Sequence, residues 1–243
     1  MAHFPFQRLQ AELSILIAQT PAGQRLPSEP DLARQMGVSR ATLREAMRMF
    51  EVQGLIRRHQ GSGTFVMGQG PVIDSGLELL ESLETLAQRM GLSLSVENLV
   101  VESLFADQEY ADGLGVSLAS RLTRVRRVMR TDNRPVAYLV DVLPENILKP
   151  EQLPESFRGS VLDYLLGRGD ALTISRAAIS AIGASAEVAK ALEIQRGDVL
   201  LTFISKLYTS TSRVVDYSFS YFIPGYFHFH IVRRIGNNPL GTQ

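Results

Sequence analysis

The segment from Leu26 to Val66, LPSEPDLARQMGVSRATLREAMRMFEVQGLIRRHQGSGTFV, constrains the fold more than any other part of the 243-residue chain. Ser28 is placed to cap a helix, with Asp31 three residues on at its positive end. Leu32, Ala33 and Met36 follow at helical spacing, and Gly37 takes the left-handed position that ends the helix. Val38 fills a tight turn. Ser39 caps a second helix in which Leu43, Ala46, Met47 and Phe50 form the apolar face. Pro30 falls in the first helical turn, where its missing N–H has no partner to lose.

The polar side of the second helix carries Arg40, Ala41, Arg44 and Arg48, with Thr42 at the edge of its first turn. Arg40 and Arg44, four residues apart, share one face, and a guanidinium matches the O6 and N7 acceptors of guanine. After Gly54, LIRRHQGSGTFV reads as two short strands joined at Gln60-Gly61-Ser62-Gly63. Glycines there allow positive φ and close approach to a phosphate, and Arg57, Arg58 and His59 add charge beside the tip. An earlier helix, Phe6 to Ala18, offers Leu9, Leu13, Leu16 and Ile17 to cover the pair. These elements are laid out as a winged helix-turn-helix that reads DNA.

The words LPSE, VSRATLREA and GLIRRHQGSGTFV resemble the GntR family of bacterial transcription regulators. The resemblance implies DNA contacts at Ser39, Arg40, Thr42, Arg44, Gln60 and Gly61, with Arg40 and Arg44 as base readers. Ser28, Arg48, Arg58 and Gly63 complete the expected contact set. Pro30 stands where the family usually has Arg, so one phosphate contact should be missing and the salt dependence shallower.

The length is large for a single core, and the charge is divided. Residues 1–67 hold eight Arg and no Lys against five acids, so a chain with 25 basic and 25 acidic residues joins a +3 part to a −3 part. The expected division is a DNA-binding domain over 1–67, a Gly-rich linker over 68–76 (GQGPVIDSG), and an effector-binding and dimerisation domain over 77–243. The absence of Cys fits a reducing interior, and no run approaches the roughly 20 apolar residues of a spanning helix. The chain reads as cytoplasmic. Its four His and the lack of a nucleophile–base pair suggest no catalytic residues, metal or cofactor; His228 and His230 alternate as one face of a strand.

Beyond the linker, Leu77 to Met90 reads as an amphipathic helix and Leu94 to Phe105 as a strand. A short helix (Asp107 to Leu114) precedes strands Ser120 to Thr131 and Pro135 to Leu143, turning at Asp132-Asn133-Arg134. Helices Val161 to Leu166 and Ala186 to Leu192 are capped by Ser160 and Ser185, with a strand from Leu172 to Ile182 between them. Strands Val199 to Tyr208 and Val214 to Ile223 turn at Thr211-Ser212-Arg213, and Phe227 to Arg233 follows. The sum is an α+β fold, an antiparallel sheet with flanking helices.

The words RLTRVRRVMRTDNRPVAYLVDVLP, SVLDYLLGRG and ASAEVAKALEIQRGDVLLTFISKLYTSTSRVVDYSFSYF resemble the effector-binding domain of the HutC subfamily, called UTRA, of chorismate-lyase-like fold. The resemblance places Arg127, Ser160 and Asp216 around a ligand, and a helix start at Ser160 suits an anion. Met129, Leu139 and Phe222 replace an Arg, an acid and a Tyr common at those positions, so the expected effector has at most one anionic group and a substantial apolar part. The implied function is a ligand-responsive repressor that binds a pseudo-palindromic operator as a homodimer and leaves it when the effector binds. The alternatives are an architectural DNA-binding protein without an effector and, given the lyase-like fold, an enzyme.

Overall fold

The computed structural model describes residues 4–59, 62–67 and 73–232. The N-terminal part packs α1 (Phe4–Gln19), α2 (Glu29–Gln35) and α3 (Arg40–Val52) against a hairpin of β1 (Ile56–His59) and β2 (Gly63–Val66). The serine caps form as the sequence requires: the Ser28 hydroxyl accepts from Asp31 N and the Ser39 hydroxyl from Thr42 N. Pro30 sits in the first turn of α2 without breaking it. Leu9, Leu13, Leu26, Leu32, Leu43, Met47 and Ile56 are fully enclosed and form a core of their own. Burial of each side chain of this size contributes about 1.5–3 kcal/mol.

The stretch expected as a linker ends in structure. Ile73–Gly76 forms β3, which later pairs in parallel with the last strand, while 68–72 lie outside the described residues. The helix expected from Leu77 starts only with α4 (Leu83–Arg89). Ser82 is the reason: it adopts an extended conformation and its hydroxyl caps Thr85 N at 2.9 Å, so the chain before it cannot be helical. Leu79 and Leu80 are left exposed.

The remainder runs β4 (Ser95–Phe105), α5 (Gln108–Leu114), β5 (Arg121–Thr131), β6 (Arg134–Pro144), a 3-10 turn at Pro150–Gln152, α6 (Val161–Arg168), β7 (Leu172–Gly183), α7 (Ala186–Ala191), β8 (Val199–Thr209), β9 (Val214–Phe222) and β10 (Phe227–His230). Six strands make one antiparallel sheet in the order β4-β5-β6-β9-β8-β7. The β5–β6 turn is made by Asp132 and Asn133, both at positive φ (48° and 60°), the conformation that matches strand twist in a two-residue hairpin.

Helices cover both faces of this sheet. One face packs Leu122, Val128, Tyr138, Val142 and Phe219 against α5 and α7. The other face is divided into two apolar clusters. Val125, Leu143 and Leu207 pack on α6 at one end, and Met129, Leu139, Phe222, Phe203 and Phe229 gather near α4 at the other. A polar gap separates them.

Candidate DNA-reading face and ligand cavity

The arginines of α3 face one shallow concavity lined by Arg40, Ala41, Arg44, Glu45, Arg48 and Arg58. Arg40 and Arg44 are exposed, as the helix period requires. Arg44 Nε donates to Glu29 Oε2 at 2.6 Å, which ties this exposed face of α3 to the start of α2. Arg58 is half-buried, pairs with Glu29 and Glu51, and donates to the Arg44 carbonyl at 3.0 Å. It braces α3 from the hairpin, and its charge is largely matched. The Ser28 hydroxyl is committed to its helix cap, and the Ser39 and Thr42 hydroxyls lie 2.8 Å apart at the start of α3. Gln60 and Gly61 lie outside the described residues. Gly63 adopts φ +105°, and a Cβ there would collide with the Arg25 guanidinium. Arg25 therefore reaches the wing, a basic position that no local pattern marks.

Arg48 departs from the exposed position expected of it. Its Nη1 and Nη2 donate to the two carboxylate oxygens of Asp198 at 2.8 and 2.6 Å, and its side chain is 21% exposed against 13% for Asp198. Asp198 sits in the turn before β8 and also accepts from Gln195 N at 2.9 Å. The Asp198 bonds raise the Arg48 pKa. Burial alone would raise the Asp198 carboxyl, but Arg48 and the Gln195 N–H overcome it and hold the carboxyl below its usual value. The contact continues toward the end of α3. Arg134 donates to the Glu51 carbonyl at 3.4 Å, and a Cβ on Gly54 would strike the Tyr226 hydroxyl. The recognition helix is thus docked on the large sheet's end through a two-pronged ion pair.

The polar gap on the divided face opens into a cavity of about 590 Å³. Register explains its wall. Arg127 pairs across β5–β6 with Leu139, Asp141 pairs with Ser218 across β6–β9, and Ser218 pairs with Ser205 across β9–β8. Residues two apart share a face, so Arg127, Asp141 and Asp216 lie staggered on three adjacent strands, with Ser205, Ser218 and Ser220 beside them. Leu139 and Phe222 line the cavity as expected of the effector set, but Met129 does not: it is fully enclosed in the apolar cluster behind them.

The expected anion-binding groups are already occupied. Arg127, 5% exposed, donates from Nη1 to Asp141 Oδ2, and Glu84 Oε1 stands 3.5 Å from its Nε. Burial works against the Arg127 charge, yet Asp141 and Glu84 more than offset it and raise its pKa. Ser160 caps α6 through Asp163 N at 3.2 Å, and the Asp163 carboxylate accepts from Ser82 at 2.6 Å. The positive end of α6 is served by the chain's own acid. Burial and the neighbouring Asp141 carboxylate push the Asp216 carboxyl well above the usual range, and burial raises Glu84 as well. Asp141, Glu84 and Asp163 are not among the residues expected from sequence. An acid within an apolar strand, as at Asp141 in AYLVDVLP, is the one local signal that points to them.

His228 and His230 do lie on one side of β10, each with Nδ1 3.0 Å from Asp74 Oδ1 across the β3–β10 pair. All three are exposed and offer ligand atoms within 4.8 Å of one another.

Two family models match the chain: the gntR family of bacterial regulatory proteins over residues 6–66, and the UTRA domain over residues 89–228. The HTH-type transcriptional regulator Rv0792c of Mycobacterium tuberculosis is 31% identical over 209 residues, covering 83% of this chain and 75% of that protein. The HTH-type transcriptional repressor NagR of Bacillus subtilis is 28% identical, with 79% of each chain covered. The mannosyl-D-glycerate transport/metabolism system repressor MngR of Escherichia coli is 26% identical, covering 90% of this chain and 91% of that one. Among solved structures, PhnF from Mycobacterium smegmatis superposes with a TM-score of 0.63 at 24% identity, over 94% of this chain and 100% of that one, a likeness of fold. With a winged helix-turn-helix before an effector-binding sheet, the HutC arrangement, the chain belongs to the GntR family and is a DNA-binding transcriptional regulator, not an enzyme.

Proposed function

We propose that the chain is a cytoplasmic repressor that binds a pseudo-palindromic operator as a homodimer and is released when a small molecule fills the cavity at Arg127, Asp141 and Asp216. The division into a DNA-binding part over 1–67, a connection over 68–76 and an effector and dimer part over 77–243 belongs to the same reading. The observation that carries it is the basic concavity on α3, placed on a core separate from the sheet that holds the cavity. Arg40 and Arg44 read bases; Ser39, Thr42 and the wing position the helix on phosphates. NagR and MngR are both named repressors, which supports reading this chain as a repressor.

A single winged module reads only a few base pairs, so two are needed on a two-fold axis. The dimer contact fits β7, a 12-residue edge strand whose Ile174, Ile179 and Ile182 are exposed. A long apolar edge left open invites pairing with a second copy. Strand β8 connects the two activities, since Asp198 precedes it and Phe203, Ser205 and Leu207 on it line the cavity. A ligand that fixes β8 in one position favours one placement of Arg48 over another.

The test selects operator sequences with the full chain from random duplexes, then measures binding by fluorescence anisotropy and mass by sedimentation. A two-fold-symmetric site bound by a dimer is expected. A monomer both with and without that duplex, or no sequence preference above nonspecific binding, refutes the reading.

A further inference from the structure

Three carboxyl groups surround the Arg127 guanidinium of β5: Asp141 from β6 and Asp216 from β9 line the cavity with it, and Glu84 of α4 is a third partner outside the lining. A fourth, Asp163 of α6, stands behind Glu84 and holds Ser82. An incoming anion meets a guanidinium already paired through Nη1 with Asp141, and a start of α6 already served by Asp163. Among the described residues Arg127 Nε has no hydrogen bond, but it faces Glu84 Oε1 at 3.5 Å, and the carboxyl groups leave acceptor capacity unused. Asp216 is 5% exposed and lines the cavity, and among the described residues its Oδ1 has no hydrogen-bond partner; both Glu84 carboxylate oxygens also lack one. Buried acceptors without donors cost free energy that a donor-bearing ligand recovers. Beside them Phe203, Phe222 and Phe229 stand with ring centroids 4.7–5.2 Å apart, an aromatic wall open to the same space.

We infer that the cavity takes a small molecule bearing a cationic nitrogen, an ammonium or amidinium, on an apolar or aromatic body, with the nitrogen donating to Asp216 and the body resting on Phe203, Phe222 and Phe229. This rests on the cavity being the effector site; it keeps the apolar body expected from the sequence and puts a cation in place of the single anionic group allowed there. A carboxylate accepts from an ammonium in short, charge-assisted bonds, and an aromatic face attracts the same cation. Because burial and Asp141 keep the Asp216 carboxyl protonated beyond the ordinary range, a cation entering displaces that proton. Binding therefore tightens as pH rises. The charged groups that act on Asp216 are Asp141 and Arg127 on the neighbouring strands, and Glu78 and Glu81 also line the cavity.

The full chain is tested by thermal shift with benzylamine, phenethylamine and 4-phenylbutylamine, against the carboxylates and alcohols of the same skeletons and glucosamine 6-phosphate. An amine at about one hundred times its Kd should raise Tm by about 5–10 °C, and its affinity should climb as pH rises above the ordinary carboxylate range. D216N, whose own melting curve reports that it folds, should lose the amine shift. The inference is overturned by equal or larger shifts with the anions, by an amine shift that survives D216N, or by no amine shift up to roughly 10 mM. If the amine acts through Asp216 yet leaves operator affinity unchanged, the cation inference stands and the effector reading falls. If an anion releases the operator through this cavity, the cation inference falls and the effector reading stands.

Discussion

Replacing Asp198 with Asn isolates the contact between α3 and the large sheet. The Asn side-chain oxygen can still accept from Gln195 N, so the turn before β8 keeps its bond, while Arg48 loses its counter-charge. The pair has two bonds of 2.8 and 2.6 Å and less than a quarter of either side chain exposed. That places it above an exposed pair, worth about 0.2–1 kcal/mol, and below a fully buried one, whose disruption costs about 3–5 kcal/mol. An intermediate value of about 1–3 kcal/mol corresponds to about 5–150-fold in an equilibrium. Arg48 also pairs with Glu45 at 3.2 Å, and that weak exposed contact survives the change.

If Arg48 must leave Asp198 to reach the DNA backbone, D198N removes that cost and operator affinity rises about 5-fold or more, within the same range. Anisotropy titrations with the selected operator at fixed salt measure it. The control is the double-mutant cycle: in an R48A background D198N should change nothing, because the partner it releases is gone. Since Asp198 is held below its ordinary value, its contribution is present above that value and lost only as pH falls through it, near or below 3.8. The gain from D198N should therefore be the same at pH 6 and pH 8. A change under twofold, a loss of affinity, or an equal effect with and without Arg48 refutes the docked arrangement as a restraint on DNA binding.

R40A and R44A should each weaken operator binding by about 1–3 kcal/mol and relax specificity at one base pair, as binding to mutated operators would record; uniform loss across all sequences would make them phosphate contacts instead. With Asp216 raised, the folded state holds a proton that the unfolded state has released, so stability falls as pH rises from the ordinary carboxylate value toward the raised one. D216N should accordingly gain Tm relative to the parent as pH rises above the ordinary carboxylate value, and parallel curves would contradict this. S82A removes both the α4 cap and the Asp163 bond and should cost about 1–2 kcal/mol in a denaturant melt, whereas a surface substitution such as T85A should cost far less.

Where one residue decides its own surroundings, the sequence is legible. Ser28, Ser39, Ser160 and Ser185 each cap the helix expected of them, and Asp132-Asn133 makes the expected hairpin, because a side-chain oxygen or a tolerated positive φ acts within four residues. Ser82 shows the limit of reading periodicity alone: the leucines before it keep helical spacing, but its own cap excludes them. The cavity wall was half legible. Arg127, Leu139 and Asp216, singled out by the family resemblance, line one cavity, while Asp141 and Glu84 reach Arg127 through register and helix packing. Strand β9 pairs with both β6 and β8, and this insertion brings Asp216 beside Asp141 across 75 positions of chain. The Arg48–Asp198 bond spans 150 positions and joins two separately packed units, so no local pattern encodes it.

The two polar clusters constrain each other. Well-packed apolar residues in place of a buried ionic group are often neutral or stabilising, so Glu84, Arg127, Asp141 and Asp216 weaken a sheet face that could have closed over a continuous core. Ligand binding can recover part of that deficit, because it can supply a donor to Asp216 Oδ1, which has none among the described residues. It alters DNA binding only to the extent that the ligand prefers one arrangement of the recognition helix. If β8 carries that preference to Asp198, the Arg48 pair sets the scale. An effector acting by strengthening or breaking this contact alone changes operator affinity by no more than the pair itself is worth, about 5–150-fold, however tightly it binds. A larger response would require the dimer geometry along β7 to move as well, and D198N would then leave most of the ligand response intact.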